Sequence, residues 1–374
     1  MPHINKDMIS FFITTKCNLS CVYCYNSNER QKLKHSTLSL DFAKLGIDHY
    51  FTTSPSRHIR FYGPGEPTQE LDLIRKIKEY AEERDNTHNV TSEIQTNGAF
   101  SRDCSEWLAK NINYIWISFD GPPDIQNYNR PFVSGADTSP VIENNVRIMF
   151  ENRTLDDGVI GARITMSNNN IHRQIEMIDY FLSLGIRYLW TDAMFPSVEK
   201  RPFCESEDRK TQFDFDMETY AEEFIVAYNY AKEKDVFYGS FLMCNFDGST
   251  NRFCRACIPS PHLTSDGYVS ACDLAIFGEN AYHMDPFIYG KHDDINNNII
   301  FNDRKIAYLK CRKTENMPIC AKCDVANHCA GYCLGEILNE TGSIFGQKSH
   351  TCNAIKKLAH NIGFFDKEYD FYHP

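Results

Sequence analysis

Cys17-Asn18-Leu19-Ser20-Cys21-Val22-Tyr23-Cys24-Tyr25 sets three cysteines at C-x3-C-x2-C spacing just after the apolar run Ile9 to Ile13, which reads as a first strand. A [4Fe-4S] cluster takes four soft ligands, so three thiolates in one tight loop leave one iron with an open coordination position. The same spacing also fits part of a zinc site or a chance cluster, and the surrounding sequence has to decide. A second stretch, Phe61-Tyr62-Gly63-Pro64-Gly65-Glu66-Pro67, follows the strand-like Ile59 to Tyr62 and precedes a helical pattern. Its glycines permit close backbone approach, and Glu66 can accept a hydrogen bond from an ammonium group.

The chain has 374 residues, 42% of them hydrophobic, enough for one large core and a smaller second unit. No apolar run reaches membrane-spanning length and Met1 to Asp7 lacks a signal-peptide pattern, so a cytoplasmic protein is expected. In a reducing compartment, fifteen cysteines gathered mostly in close sets towards the two ends point to metal ligation rather than disulfides. The net charge of -11 argues against nucleic acid or an anionic membrane as the main partner. A peptide or small molecule fits better as substrate.

Strand-like runs at Met8 to Ile13, Ile59 to Tyr62, Val90 to Gln95, Tyr114 to Phe119, Val159 to Thr165 and Ile186 to Trp190 alternate with helical patterns. The helices are read at Leu40 to Phe51, Gln69 to Arg84, Asp103 to Asn111, Ser139 to Asn152 and Ile171 to Leu184. This alternation predicts an α/β fold with a parallel sheet, whose chemistry gathers at the C-terminal strand ends. Cys17, Cys21 and Cys24 follow the first strand, Glu66 the second and Thr96-Asn97-Gly98 the third, while Ser118 and Asp120 close the fourth. Asn97-Gly98 also reads as a generic turn, and Ser118 or Asp120 as a cap. Leu189 and Trp190 could cover an adenine, although an apolar strand end is usually core. Arg130 reads by default as a surface arginine, with contact to SAM or a substrate carboxylate through its fork of donors as the alternative.

Between Pro196 and Asp247 a linker carries a long amphipathic helix, Gln212 to Lys234, in which Phe215, Tyr220, Phe224, Val226 and Tyr230 share an apolar face. The Asn-rich Asp293 to Asn298 reads as a surface turn. Cys254, Cys257, Cys272, Cys320, Cys323, Cys329, Cys333 and Cys352 then offer eight thiolates, enough to close two [4Fe-4S] sites. Zinc staples are the plainer alternative. Cys104, Cys204, Cys244 and Cys311 fit neither set and read as ordinary thiols.

The cysteine loop with Tyr25 after it, and Gly63-Pro64-Gly65-Glu66-Pro67, resemble the radical S-adenosylmethionine (SAM) superfamily, with Pro64 standing where the family has a glycine. The resemblance implies a partial (β/α)6 TIM-like barrel over residues 1–195, with a [4Fe-4S] cluster on Cys17, Cys21 and Cys24. SAM would chelate the open iron and, on reductive cleavage, give a 5'-deoxyadenosyl radical. Tyr25, Gly65, Glu66, Asn97 and Ser118 would line the SAM site. Ile117-Ser118-Phe119-Asp120-Gly121-Pro122 and Asn127-Tyr128-Asn129-Arg130-Pro131 are similar to peptide- and protein-modifying members.

The C-terminal cysteine spacing resembles the SPASM extension of such enzymes, which implies a helical linker over 196–247 and an auxiliary-cluster domain over 248–374. By that family's crossed pattern, Cys254, Cys257, Cys272 and Cys333 would hold the nearer auxiliary [4Fe-4S] cluster, and Cys320, Cys323, Cys329 and Cys352 the distal one. Asp273 stands directly after Cys272, where anaerobic sulfatase-maturing enzymes carry an aspartate thought to take a proton from the substrate; hydrogen bonding to its own loop is the alternative.

We therefore expect a radical SAM/SPASM oxidoreductase that abstracts hydrogen from a peptide residue and matures a ribosomally synthesised peptide by crosslinking, epimerisation or another change. Anaerobic sulfatase maturation, oxidising Cys or Ser to formylglycine, is the alternative. A small-molecule dehydrogenase or an electron-transfer iron-sulfur protein is the rival from another class. Expected partners are a peptide or protein substrate and an electron donor such as flavodoxin or ferredoxin, with no nucleic acid and no membrane. Sixteen residues before Cys17 leave no room for an N-terminal peptide-recognition domain. A leader peptide would then bind the barrel, the SPASM module or a separate leader-peptide-binding protein.

Overall fold

Ile9-Ser10-Phe11-Phe12 and Tyr114-Ile115-Trp116-Ile117-Ser118 are buried at every position, as strands covered on both faces must be. The computed structural model describes residues 7–24, 26, 36–87, 89–156, 158–194, 216–279 and 281–365. Seven parallel strands lie side by side in chain order: β1 Ile9–Phe12, β2 His58–Tyr62, β3 Thr91–Thr96, β4 Tyr114–Ser118, β5 Val159–Thr165, β6 Tyr188–Asp192 and β7 Phe237–Ser240. Between them run α1 Leu40–Thr53, α2 Leu71–Arg84, α3 Arg102–Asn111, α4 Pro123–Asn129 followed by α5 Ser139–Glu151, α6 Gln174–Ser183 and α7 Met217–Glu233. These are the six β/α units of the expected partial barrel. Several helices start on a side-chain cap: Ser39 accepts from the Phe42 amide, Ser101 from Cys104 and Asp216 from Thr219.

Register divides the strands into two faces. Ile9, Phe11, Ile59, Phe61, Ile94, Ile115, Ile117 and Ile164 alternate with Ser10, Arg60, Glu93, Trp116, Ser118, Arg163 and Asp192, which share the other face; Ser10 pairs with Arg60, Arg60 with Glu93 and Ser118 with Arg163 across neighbouring strands. The first set is apolar core. The second carries the polar and charged groups of the barrel interior. Gly161 sits opposite Trp116 in that interior, where a Cβ would come within 2.5 Å of the indole.

The strand β7 lies in the stretch read as linker, and the helix before it differs in its face from the expected one. Tyr220, Ala221, Phe224, Ala227 and Ala231 are the buried residues of α7, whereas Val226 is exposed, because it lies about 140° away from the Tyr220–Phe224 seam. Residues 212–215, Phe215 among them, lie outside the described residues.

Beyond β7 the chain returns to β1. Strand β8 (His262–Leu263) pairs parallel with it, and β9 (Tyr268–Ser270), β10 (Ile288–Asp293) and β11 (Asn298–Phe301) extend the sheet antiparallel, giving eleven strands in the order β11-β10-β9-β8-β1-β2-β3-β4-β5-β6-β7. The Asn-rich stretch is the β10–β11 turn, with Asn297 at φ 48°. Helices α8 Asp303–Lys310, α9 Ala326–Cys329, α10 Leu334–Thr341 and α11 Ser349–Ile362 complete the described chain, α11 packing along α7.

Candidate active site

The loop after β1 is held from two sides. On one, Ser20 N and Val22 N donate to Pro131 O and Asn129 O, each at 2.9 Å. On the other, Gly65 N donates to Thr14 O at 3.0 Å and Glu66 N to Lys16 O at 2.7 Å. A Cβ at Gly65 would stand 2.1 Å from Lys16 O, so this close approach of the two loops needs glycine. Pro64, with no N–H to satisfy, is accommodated in the same turn. Cys17, Cys21 and Cys24 thereby line a cavity of about 230 Å³ that Gly65, Glu66, Asn97 and Ser118 also line. Burial pushes the Cys21 thiol up to about 12 against the opposing charge of Arg130, whose Nη1 lies 3.9 Å from Cys21 Sγ. Tyr25 lies outside the described residues, as does Cys204.

Glu66 is 2% exposed and caps the single turn Pro67–Glu70. Its Oε1 accepts from Thr68 N at 3.0 Å, Thr68 Oγ1 at 2.7 Å and Thr96 Oγ1 at 2.6 Å, while Oε2 accepts from Asn97 N at 2.7 Å. Burial raises its pKa, and these four bonds work to lower it. Asn97 is a turn residue that also reaches the cysteine loop. Its Oδ1 accepts from Ala99 N at 2.8 Å as a turn residue, and its Nδ2 donates to Asn18 Oδ1 at 2.8 Å and lies 4.0 Å from Cys17 Sγ. Leu189 and Trp190 are core, and the Trp190 indole donates to Asp192 Oδ1 at 2.8 Å.

Arg130 is not a surface arginine: it is 9% exposed, with its Nε 3.2 Å from Asp120 Oδ1 and its guanidinium 4.9 Å from the centre of the Tyr23 ring. Asp120 is fully buried and accepts from Tyr23 OH at 2.6 Å, Asn129 Nδ2 at 3.0 Å and Thr165 N at 3.0 Å. It is therefore a strut between the cysteine loop and the ends of β4 and β5, not a helix cap. Arg163, facing Ser118 across the β4–β5 register, pairs with Asp192 at 3.0 Å, and both line the cavity. No motif in the sequence singled out Arg163 or Asp192. Their interior face on alternating strands was the available signal.

The loop after β9 carries Cys272 and Asp273 into the same cavity. Both Asp273 oxygens lie 2.9 Å from Arg60 Nη1, Oδ2 lies 3.3 Å from Arg255 Nη2, and Oδ1 lies 3.3 Å from His262 Nε2. Burial works to raise its pKa, but Arg60 and Arg255 outweigh this and hold the carboxyl well below the usual range. His262 presents Nδ1 to the carbonyls of Ser260 and Ser270 at 3.0 and 3.1 Å, so that nitrogen carries the proton, and Nε2 accepts from Arg255 Nε at 3.2 Å. Arg60 is itself 3.3 Å from Glu93, which pairs with His58. This arrangement runs against a general base at Asp273, because a carboxylate bound by two guanidiniums has little affinity for a proton.

The remaining cysteines separate into two groups. Cys257 N donates to Cys254 O at 3.0 Å, and Cys254, Cys272 and Cys333 line the same cavity as the first cysteine loop. Cys320, Cys323, Cys329 and Cys352 all line a second cavity of about 220 Å³. Among the described residues no three His, Cys, Asp or Glu side chains converge on one point that could hold a single ion; the sulfurs instead border these two spaces. Cys104 and Cys244 are buried thiols, and Cys311 is exposed.

Residues 11–195 match the family model described as the Radical SAM superfamily. The radical SAM cyclopropyl synthase TigE of Paramaledivibacter caminithermalis is 22% identical over 379 residues, covering 95% of this chain and 73% of that protein. A cysteine-type anaerobic sulfatase-maturating enzyme of Clostridium perfringens is 22% identical over 335 residues, 85% of each chain. Among solved structures, anSMEcpe with bound AdoMet and Cp18Cys peptide superposes with a TM-score of 0.71 at 17% identity, over 95% of this chain and 96% of that one. Streptococcus suis SuiB bound to precursor peptide SuiA gives 0.64 at 13% identity, over 92% and 75%. At these identities the superpositions establish a shared fold. Residues 11–195 are a domain of the Radical SAM superfamily, a family of enzymes that implies a 4Fe-4S cluster and SAM.

Proposed function

We propose that this enzyme abstracts hydrogen from a residue of a peptide, maturing a ribosomally synthesised peptide by crosslinking, epimerisation or another change. The observation that carries this reading is one cavity bordered by Cys17, Cys21 and Cys24, by Cys254, Cys272 and Cys333, and by Asp273. Proteins of the same fold have been solved with a peptide in place, anSMEcpe with Cp18Cys and SuiB with SuiA, which supports a peptide as the substrate here.

The residues present fit the cofactors. We assign the [4Fe-4S] cluster to Cys17, Cys21 and Cys24, and SAM to the side of the cavity formed by Gly65, Glu66, Asn97 and Ser118, with Tyr25 next in sequence to Cys24. Glu66 Oε2 accepts one bond, which leaves it a lone pair for an ammonium group. Auxiliary [4Fe-4S] clusters are assigned to Cys254, Cys257, Cys272 and Cys333 and to Cys320, Cys323, Cys329 and Cys352, consistent with their bordering two separate spaces. Bound there, the cluster and SAM would supply the radical chemistry for hydrogen abstraction from the substrate. The protein's share is orientation and the exclusion of water: the Tyr23–Asp120–Arg130 strut holds the cysteine loop, and the Arg163–Asp192 pair borders the space left for substrate. Asp273 is assigned to fixing Arg60 and Arg255 rather than to accepting a proton. An electron donor such as flavodoxin or ferredoxin, and a separate leader-peptide-binding protein, complete the proposed partners.

Oxidation of Cys or Ser to formylglycine is the second reading, supported by the likeness over most of the chain to a cysteine-type anaerobic sulfatase-maturating enzyme. Anaerobically reconstituted protein should contain about twelve irons, from three four-iron clusters. It should form 5'-deoxyadenosine from SAM and a strong reductant. Loss of two hydrogens from a sulfatase-type peptide bearing Cys or Ser would put the second reading first. Absence of 5'-deoxyadenosine would remove both.

A further inference from the structure

Ala330, Gly331 and Tyr332 form an unusual run of backbone: their φ angles are 47°, 80° and 63°, so three consecutive residues are left-handed and two of them are not glycine. Such conformations cost energy and persist only where the surroundings over-determine them. The run occupies the short crossing between Cys329, which borders the distal space, and Cys333, which borders the active-site cavity.

What holds it is Arg312. Its guanidinium is fully buried, and Nη1 donates to Ala330 O at 3.2 Å while Nη2 donates to Gly331 O at 2.6 Å and lies 3.5 Å from Tyr332 O. Nε donates to Ile344 O at 2.5 Å. A Cβ at Gly331 would come within 2.5 Å of Nη1, so the glycine is what lets the guanidinium lie against the crossing. Among the described residues Arg312 forms no ion pair with a carboxylate, and its electrostatic neighbours are Cys254 and Cys257 of one quartet and Cys320 and Cys329 of the other. A buried guanidinium stays charged and needs negative partners. Thiolates of both quartets would supply them.

We propose that Arg312 is a positioning residue that keeps the two cysteine quartets in register, by pinning the left-handed crossing between Cys329 and Cys333 and by lending one positive charge to both sites. This rests on the reading of the quartets as two iron-sulfur sites. A positive charge favours the reduced, more negative state of a neighbouring cluster, so its removal lowers both potentials.

The test uses full-length reconstituted protein with Cys17, Cys21 and Cys24 changed to Ala, leaving about eight auxiliary irons. Arg312→Met is expected to lose half or more of that iron, from both sites, and any clusters retained should titrate at lower potential by EPR-monitored redox titration. Arg312→Lys keeps the charge but not the fork: potentials should return towards those of the parent, while hydrogen exchange at the Tyr332 and Cys333 amides stays faster than in the parent. Full iron and unchanged potentials in Arg312→Met, or iron loss confined to one site, would overturn the proposal. If Arg312→Met does not fold, Arg312→Lys decides, and unchanged exchange at those amides rejects the pinning. Zinc, or no auxiliary iron, in the parent protein would overturn the reading of the quartets and this inference with it, before any Arg312 variant is made.

Discussion

Changing Asp273 to Asn separates an ion-pair anchor from a proton acceptor. The carboxylate meets Arg60 Nη1 with both oxygens at 2.9 Å, and Arg60 is 1% exposed while Asp273 is 25% exposed. Removing one partner of a fully buried pair costs about 3–5 kcal/mol, whereas an exposed pair is worth about 0–1 kcal/mol. The mixed exposure places Asp273→Asn between these limits, at about 2–3 kcal/mol, and Glu93 at 3.3 Å still offsets the Arg60 charge. Arg60→Met should cost more, because it deprives both Glu93 and Asp273 of the guanidinium. The double variant should then cost less than the two singles together, with a coupling of about 2 kcal/mol. Urea titration followed by far-UV circular dichroism on the two singles and the double measures this. SAM cleavage per folded, iron-loaded chain should be spared in Asp273→Asn, with product formation falling only as far as folded protein does. A coupling under about 0.5 kcal/mol together with collapse of product formation would refute the reasoning and restore Asp273 as the base.

Changing Cys17, Cys21 and Cys24 together to Ala should abolish 5'-deoxyadenosine formation yet keep about two-thirds of the iron, whereas Cys320→Ala with Cys352→Ala should lose about four irons and still cleave SAM; iron analysis with chromatography of the nucleoside checks both. Gly65→Ala should lower SAM cleavage at least about tenfold, because its Cβ would stand 2.1 Å from Lys16 O and force the two loops apart. An unchanged rate would show that the loops can separate without consequence. Tyr23→Phe removes the donor lying 2.6 Å from buried Asp120 and should cost about 1–3 kcal/mol in urea titration. A smaller effect would mean that Asn129, the Thr165 amide and Arg130 satisfy Asp120 without the tyrosine.

Local pattern was enough for the framework. Apolar runs bounded by turn residues placed the first six strands within about two residues of their positions, because parallel strands buried on both faces leave a plain hydrophobic trace. Cysteine spacing identified the ligand candidates, since a cluster demands particular side chains at close intervals. The strand β7 was less legible: Phe237-Tyr238-Gly239-Ser240 is four residues long and follows a helix that dominates its stretch. Val226 was assigned to the buried face of α7 because composition alone does not set helix phase.

Charge partnerships belonged to tertiary structure. Arg130, Arg163, Arg60 and Arg312 look alike in sequence, as solvated cations by default, yet Arg130, Arg60 and Arg312 are buried and Arg163 is mostly so, each against groups brought from distant parts of the chain. Asp273 was legible as a carboxylate beside a cysteine. That it is bound by Arg60 and Arg255 depends on β9 running beside β8, which joins the sheet at β1, and on the loop after β9 reaching Arg60 of β2. Sequence alone thus determined which elements and which ligand types this protein has, because those follow from periodicity and spacing along the chain. Which charges neutralise one another was decided only by the fold, because electrostatic energy depends on distance and burial in space.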